Sequence, residues 1–382
     1  MKIIKYNKLL LLIVVISLLP FCKEQKDIST TQEKNKMVIT FVSGDVKIIR
    51  KDEQGNIQEI PAKMGMFVYE DDSIRTEKGK IDLQTKSGSA IRIKEMTYLS
   101  VKSLSNEAGG ETNLEMENGN IIANIKKATS KEDFKVATPT AIAGVRGTTF
   151  TVEVDPFEKT SSIKVLDGKV AVKPRVIPLE KASKEEIEKD PALKPLKELE
   201  KKEVIIEENQ SAKLDPSIEK KLAEINEKAE KSDNLESAIQ TEDIQTLVEE
   251  VKEKPQVLKT EKIEPAPELL IEKETMIILN PEEMKQIEEG KDIDQIFAKK
   301  QEERKIKEEQ ILKKIEESAS KKKLKSEKEI KQYYNKLEII TLRNGKKISG
   351  AVIAQTGNIM VIHTPKGIIR VNKNEVESQE FK

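Results

Sequence analysis

Phe150-Thr151-Val152-Glu153-Val154 is followed, one turn later, by Ser162-Ile163-Lys164-Val165 and then by Asp167-Gly168-Lys169-Val170-Ala171-Val172. Apolar and polar residues alternate in the first two runs. Phe, Val and Ile fall on one face, Thr, Glu and Lys on the other. Only an extended strand sends successive side chains to opposite faces, so this period of two marks half-buried strands. Asp167-Gly168 is a tight-turn signal, because glycine takes positive φ at little cost. Outward from this stretch the alternation recurs at Phe134 and Val136, Leu114 and Met116, Leu99 and Val101, Ile91 and Ile93, and Ile81 and Leu83. Each run is short and bounded by Gly, Asn, Asp or Ser, as in an all-β sandwich or solenoid. The turn-then-strand unit returns at Ser43-Gly44-Asp45-Val46, Ser87-Gly88-Ser89-Ala90 and Asn118-Gly119-Asn120-Ile121. Its spacing varies, so no solenoid period follows.

The order of these units is distinctive. Glu70-Asp71-Asp72-Ser73-Ile74-Arg75-Thr76 precedes the Ser87-Gly88-Ser89 turn, Thr97-Tyr98-Leu99 and Asn118-Gly119. Ala137-Thr138-Pro139-Thr140-Ala141 then leads to Val145-Arg146-Gly147-Thr148-Thr149-Phe150, and Asp167-Gly168-Lys169-Val170 closes the series. Over about residues 38–173 this resembles a FecR domain. The residues that carry the resemblance are Asp72, Thr76, Thr138, Pro139, Arg146, Gly147, Thr148, Phe150 and Gly168, and they read as structural. Pro139 fixes an extended corner, and Gly147 permits a close approach before the Phe150 strand. Arg146 is the one charge in its apolar stretch. It either contacts a ligand or partner, or satisfies loop carbonyls, and the second is expected. Glu203-Val204-Ile205-Ile206 and Ser211-Ala212-Lys213-Leu214 read as a further strand pair. The β domain is therefore expected over residues 37–214, with a helical insertion over 176–202 that contains the Ser183/Glu186 capping box. The family's regulators join such a domain to a cytoplasmic anti-sigma segment through a membrane helix. Neither is expected here, so direct control of a sigma factor is not carried over by the resemblance.

At the N-terminus, Lys2 and Lys5 precede the apolar run Leu9 to Ile16, which ends in Leu19-Pro20-Phe21-Cys22. This is a charged n-region and an apolar h-region of signal-peptide length. Leu19 and Cys22 resemble a bacterial lipobox, with Phe21 in place of the usual small residue, as in the looser lipoboxes of spirochaetal lipoproteins. A signal over residues 1–21, a lipid on Cys22 and a polar tether over 22–36 are expected.

Residues 215–335 are rich in Lys and Glu and read as a charged helical spacer. Helices are expected to start at Asp215-Pro216 and at Asn280-Pro281, to stop at Gly290, and to run from about Ile293 to Tyr333. Pro255, Pro265 and Pro267 mark a linker over 252–267. From 336 to 382 short strands alternate with Asn344-Gly345, Thr356-Gly357-Asn358 and Thr364-Pro365-Lys366-Gly367, which predicts a small SH3- or Sm-like β-barrel. The fold class is thus mainly β with a helical spacer.

Composition bounds the function. The 382 residues carry 68 Lys+Arg against 68 Asp+Glu, with one Cys, one His and no Trp. The balanced charge argues against nucleic acid as partner. One Cys and one His exclude an internal disulfide, a multi-Cys/His zinc site and most Ser-His-Asp chemistry. No cofactor, metal or catalytic residue is expected, and His363 reads as a strand-end residue beside a turn. The expectation is a non-catalytic envelope lipoprotein, anchored by lipid in the membrane, with outer-membrane placement implied by the spirochaetal resemblance. It would bind or scaffold a protein or another envelope component. The alternative is a signalling module with the family's regulatory habit.

Overall fold

The structure, a computed structural model, describes residues 35–104, 110–127, 133–191, 193–232 and 241–382. The signal segment, Cys22 and the tether through Lys34 lie outside the described residues. The first strand begins at Lys36, inside the expected tether.

Seventeen strands form two sheets that share one long strand, Glu111–Asn124. The first sheet runs Phe67–Tyr69, Lys36–Ser43, Lys80–Thr85, Ala90–Ile93, the second half of Glu111–Asn124, Thr149–Val154, Ser161–Asp167, Gln210–Leu214 and Leu258–Lys262. The second runs Ile57–Pro61, Val46–Lys51, Ser73–Thr76, Tyr98–Ser103, the first half of Glu111–Asn124, Asp133–Ala137, Ala141–Val145, Lys169–Pro174 and Val204–Glu207. All these pairings are antiparallel except Asp133–Ala137 beside Glu111–Asn124. Val204–Glu207 and Gln210–Leu214 are both strands of the domain, but they go to different sheets rather than pairing with each other.

The shared strand changes sheet at Gly119. Asn118 is opposite Tyr98 in the second sheet, and Gly119 is opposite Val154 in the first. Gly119 has φ +100°, and a Cβ there would sit 2.2 Å from Thr97 Oγ1. The close approach lets the Thr97 hydroxyl accept the Asn120 N–H at 3.0 Å, which satisfies the backbone at the bend. The alternating residues of both sheets meet in one core. Ile39, Leu83, Ile91, Ile121, Phe150 and Ile163 come from the first sheet, and Ile48, Ile74, Leu99, Leu114, Val136 and Val170 from the second.

The helical insertion between Lys169–Pro174 and Val204–Glu207 is three short helices, Ile177–Lys181, Lys184–Lys189 and Leu193–Glu200. The Ser183/Glu186 capping box starts the second of these.

The charged middle is not a free spacer. Helix Pro216–Lys231 begins at Pro216 with Asp215 as its cap. Its Ile218, Leu222, Ile225 and Ala229 fall on one face and enter the β core, joined by Ile244 and Leu247 of helix Thr241–Glu253. The expected linker contains Leu258–Lys262, which extends the first sheet at its edge. Residues after it cross the outer face of the same sheet. Leu279, Met284, Ile287, Ile296 and Phe297 cover Val38, and Met276 covers Ala90 and Ile122. That face needs cover because Ile121-Ile122-Ala123 is apolar on both sides. Gln84 fixes the crossing, accepting the Leu279 N–H at 2.7 Å and donating to the Leu279 carbonyl at 2.9 Å.

Helix Pro281–Glu288 carries the Asn280/Glu283 capping box, and Gly290 beyond its end has φ +71°. The expected long helix is two, Ile293–Ser320 and Glu327–Tyr334. The C-terminal strands form a five-stranded antiparallel sheet in the order Gly367–Asn372, Ile359–Thr364, Lys347–Gln355, Glu338–Leu342 and Val376–Phe381. Among the described residues its two edge strands make no ladder with each other, so a closed barrel is not formed. Only the 3-10 turn Lys373–Glu375 joins those edges. Three residues reach about 10 Å, so the sheet curls around Ile340, Val352, Met360 and Ile362. Its other face, with Ala351, Ile353 and Val361, packs on Leu312, Ala319 and Ile330 of the helices.

Candidate functional site

The motif residues divide into those that hold the fold and one that does not. Asp72 is buried and binds Arg50 through two bonds, Nε to Oδ1 at 2.7 Å and Nη2 to Oδ2 at 2.6 Å. It also accepts the Tyr69 N–H at 2.8 Å, which closes the turn before strand Ser73–Thr76. The hydrogen bond to Asp72 raises the pKa of Arg50 above its ordinary value. Thr76 donates to the Lys94 carbonyl at 2.5 Å and accepts the Thr97 N–H at 2.9 Å, tying two turns together. Phe150 is wholly buried in the core.

Thr138 and Pro139 form the corner between strands Asp133–Ala137 and Ala141–Val145. The Thr138 hydroxyl accepts the Ala141 N–H at 2.9 Å and lies 2.7 Å from the Ser161 hydroxyl. Glu219 accepts from the Thr140 hydroxyl at 2.7 Å and from the Ser161 N–H at 2.6 Å. Seven residues along the same helix, Asn226 donates to the carbonyls of Pro139 and Arg175, each at 2.8 Å, and accepts the Ile177 N–H at 2.9 Å. Residues seven apart share one helix face, so Glu219 and Asn226 grip the corner together. Burial pushes the Glu219 carboxyl up to about 7, only partly offset by the two donors. Sequence reasoning missed both residues. The signal was present, as two polar side chains on the apolar stripe of helix Pro216–Lys231. Beside the corner lies a groove of about 670 Å³, lined by Pro139, Ile177, Pro216 and Ala223 and overhung by Phe157, which is 91% exposed.

Arg146 behaves differently. It lies at the tip between strands Ala141–Val145 and Thr149–Val154 and is exposed. The expectation that it satisfies loop carbonyls is not met. Its side chain makes no hydrogen bond or ion pair with any described residue, because the surrounding backbone is already satisfied by others. Thr148 donates to the Lys169 carbonyl at 2.7 Å, and the Thr148 carbonyl accepts the Ile125 N–H at 2.9 Å. Gly147 has φ +62°, and a Cβ there would meet Lys127 Cγ at 2.1 Å. At Gly168, φ is +92° and a Cβ would lie 2.8 Å from Thr148 Oγ1. The turn is therefore fixed from both sides, while Arg146, Lys126 and Lys127 are exposed, the Lys126 side chain lying over Gly88 and the Lys127 stem over Gly147.

The family model described as FecR protein matches residues 72–171, a window that opens at Asp72 and takes in the Thr138–Phe150 stretch. The chain carries a FecR domain. The sandwich is larger than the matched window, since its strands begin at Lys36 and end at Lys262. Two crystal structures of a candidate anti-sigma factor from Parabacteroides distasonis ATCC 8503 are similar to part of the chain, each at 14% identity. One match covers 38% of this chain and 55% of that one with a TM-score of 0.28; the other covers 37% and 54% with a TM-score of 0.27. The chain thus spans about half the length of the solved structures it matches. No curated protein matches.

Elsewhere, His363 is buried and its Nδ1 shares a 2.8 Å hydrogen bond with the Tyr334 hydroxyl. Burial lowers its pKa, which favours the neutral ring. No helix among the described residues is long and apolar enough to cross a membrane.

Proposed function

We propose that this chain is a lipid-anchored cell-envelope protein whose FecR domain binds an acidic protein surface and catalyses nothing. The observation that carries this reading is Arg146, a cation without a partner among the described residues, displayed beside exposed Lys126 and Lys127 on a turn that its neighbours hold rigid. A pre-organised charge loses little entropy on binding, which is what a recognition residue requires. The lipobox-like Leu19-Pro20-Phe21-Cys22 supports attachment through Cys22, and the spirochaetal resemblance supports the outer membrane as the anchoring site.

The test uses the full chain in cells. A photo-cross-linking residue at position 127 is expected to yield a discrete adduct in intact envelopes. Arg146→Glu should abolish that adduct without changing thermal stability, since exposed substitutions usually stay within about 0.5 kcal/mol. Cys22→Ala should abolish incorporation of labelled palmitate and release the protein from the membrane. An adduct indifferent to Arg146→Glu would remove the binding assignment, and unchanged palmitate labelling would remove the anchor. An adduct with a membrane-spanning transducer would favour the signalling alternative.

A further inference from the structure

A second cationic site lies away from the FecR motif, where the sandwich, helix Ile293–Ser320 and the C-terminal sheet converge. The cleft there has a volume of about 510 Å³. At its base Arg92 and Asp82 form a pair with neither side chain exposed to solvent. The Arg92 donors are fully used. Nε and Nη2 bind the two Asp82 oxygens at 2.7 Å, Nη1 binds the Glu272 carbonyl at 2.8 Å and Thr275 Oγ1 at 3.2 Å, and Nη2 also reaches the Thr275 carbonyl at 3.2 Å. Lys94 is paired with Glu272 at 3.0 Å.

Two other cations in the cleft have no such match. Arg304 stacks its guanidinium on the Phe41 ring at 3.9 Å, and its Nε is buried with no hydrogen-bond partner. Lys80 makes no ion pair or hydrogen bond with any described residue. Burial and the nearby charge of Arg92 lower the pKa of both, and Arg304 adds to the effect on Lys80; together these outweigh the opposite pull of Glu272 and Asp82 on Lys80 and of Asp82 and Glu308 on Arg304. A buried N–H without an acceptor is costly, and so is the mutual repulsion of cations in one cleft. An anion placed between Arg304 and Lys80 would relieve both costs at once.

The rim narrows the kind of anion. Glu95, Glu268 and Glu308 line the same cleft, together with Thr356 and Gln355. Carboxylates repel a bare anion but accept hydrogen bonds from hydroxyls. The space also exceeds that needed by a free phosphate and suits a small organic ligand. We infer that this cleft binds a phosphorylated sugar, with its phosphate on Arg304 and Lys80 and its hydroxyls on the rim carboxylates.

The experiment is calorimetric titration of the full chain, in detergent, with glucose 6-phosphate, inorganic phosphate and glucose. Glucose 6-phosphate should bind about tenfold more tightly than inorganic phosphate, and glucose should show no binding. Lys80→Gln and Arg304→Gln should each weaken glucose 6-phosphate binding by about tenfold, the scale of one charge-assisted contact. Lys80→Gln leaves the Phe41 stack in place, so it reads the site even if Arg304→Gln is poorly folded. No binding of either phosphate would overturn the inference, as would binding that Lys80→Gln leaves unchanged. Equal affinity for the two phosphates would overturn the sugar assignment.

Discussion

Glu219 joins the FecR corner to the helix behind it, and its charge state decides what that junction contributes. Its pKa rises on folding from an ordinary 4.5 to about 7, with burial as the main cause. The folded chain therefore holds a proton that the unfolded chain gives up between these values. This contribution to stability is full below about pH 4.5, falls as the pH rises, and is lost above about pH 7. The loss is at most about 3 kcal/mol. Glu219→Gln keeps an oxygen that accepts from Thr140 and Ser161 but cannot ionise. The variant should match the parent at about pH 4.5 and exceed it by up to about 3 kcal/mol at about pH 8, as read by urea unfolding at both values. A difference independent of pH would show that Glu219 is not protonated in the folded state. Pro139 and Gly147 are legible in the sequence because they act through their own backbone, and Thr138 because its hydroxyl accepts an N–H only three residues on. Arg146 reads from the sequence as an arginine that serves loop carbonyls, and its surroundings in the structure differ. Whether an arginine finds carbonyls depends on which of them are already taken, and that is decided by Thr148, Ile125 and Lys169 after folding.

Elements whose signals are local were legible, and elements that depend on distant cover were not. The capping boxes at Ser183 and Asn280 satisfy N–H groups within three residues of themselves, so a short stretch suffices to find them. From its sequence helix Pro216–Lys231 reads as solvated, because Lys and Glu outnumber its apolar residues. Its Ile218, Leu222, Ile225 and Ala229 stripe nevertheless enters the β core. The run Ile121-Ile122-Ala123 carried a second missed signal. A half-solvated strand would alternate there, and an unbroken apolar run announces cover on both faces. The Gly119 bend tests the element directly. Gly119→Ala combines a forbidden φ of +100° with contacts of 2.2 to 2.6 Å to Thr97. Gly290→Ala meets φ +71° and nothing within 4 Å. The exposed change should cost about 1 kcal/mol, and the bend change roughly 3 kcal/mol or more, in equilibrium unfolding. Equal costs would mean that the close approach to Thr97 contributes nothing to the bend.

For the molecule as a whole, the charged middle is the region whose role changes most between sequence and structure. Read by composition, residues 215–335 separate two β modules that would unfold independently. Read by contacts, residues 216–262 complete the sandwich and the following stretch straps its outer face. The two pictures differ in a measurable way. A chain of residues 35–214 should show no cooperative unfolding, because it lacks the Ile218, Leu222, Ile225 and Leu247 side chains of the core and leaves the Ser161 N–H without its acceptor. A chain of residues 35–265 keeps the core and both sheets but uncovers Val38, Ala90 and Ile122. Each large apolar side chain withdrawn from such a contact forfeits about 1.5–3 kcal/mol of burial, an upper figure because the freed strap also regains entropy. A net coupling of several kcal/mol lowers the unfolding temperature of a sandwich this size by roughly 10 °C. Calorimetry of residues 35–265 beside residues 35–382 makes the comparison. A sandwich transition at the same temperature in both would restore the spacer. A lowered transition in the shorter chain, with dye binding to the exposed face, would establish that the Lys- and Glu-rich segment is held to the FecR domain by its few apolar residues, its charges serving mainly to keep the outer side of the strap in water.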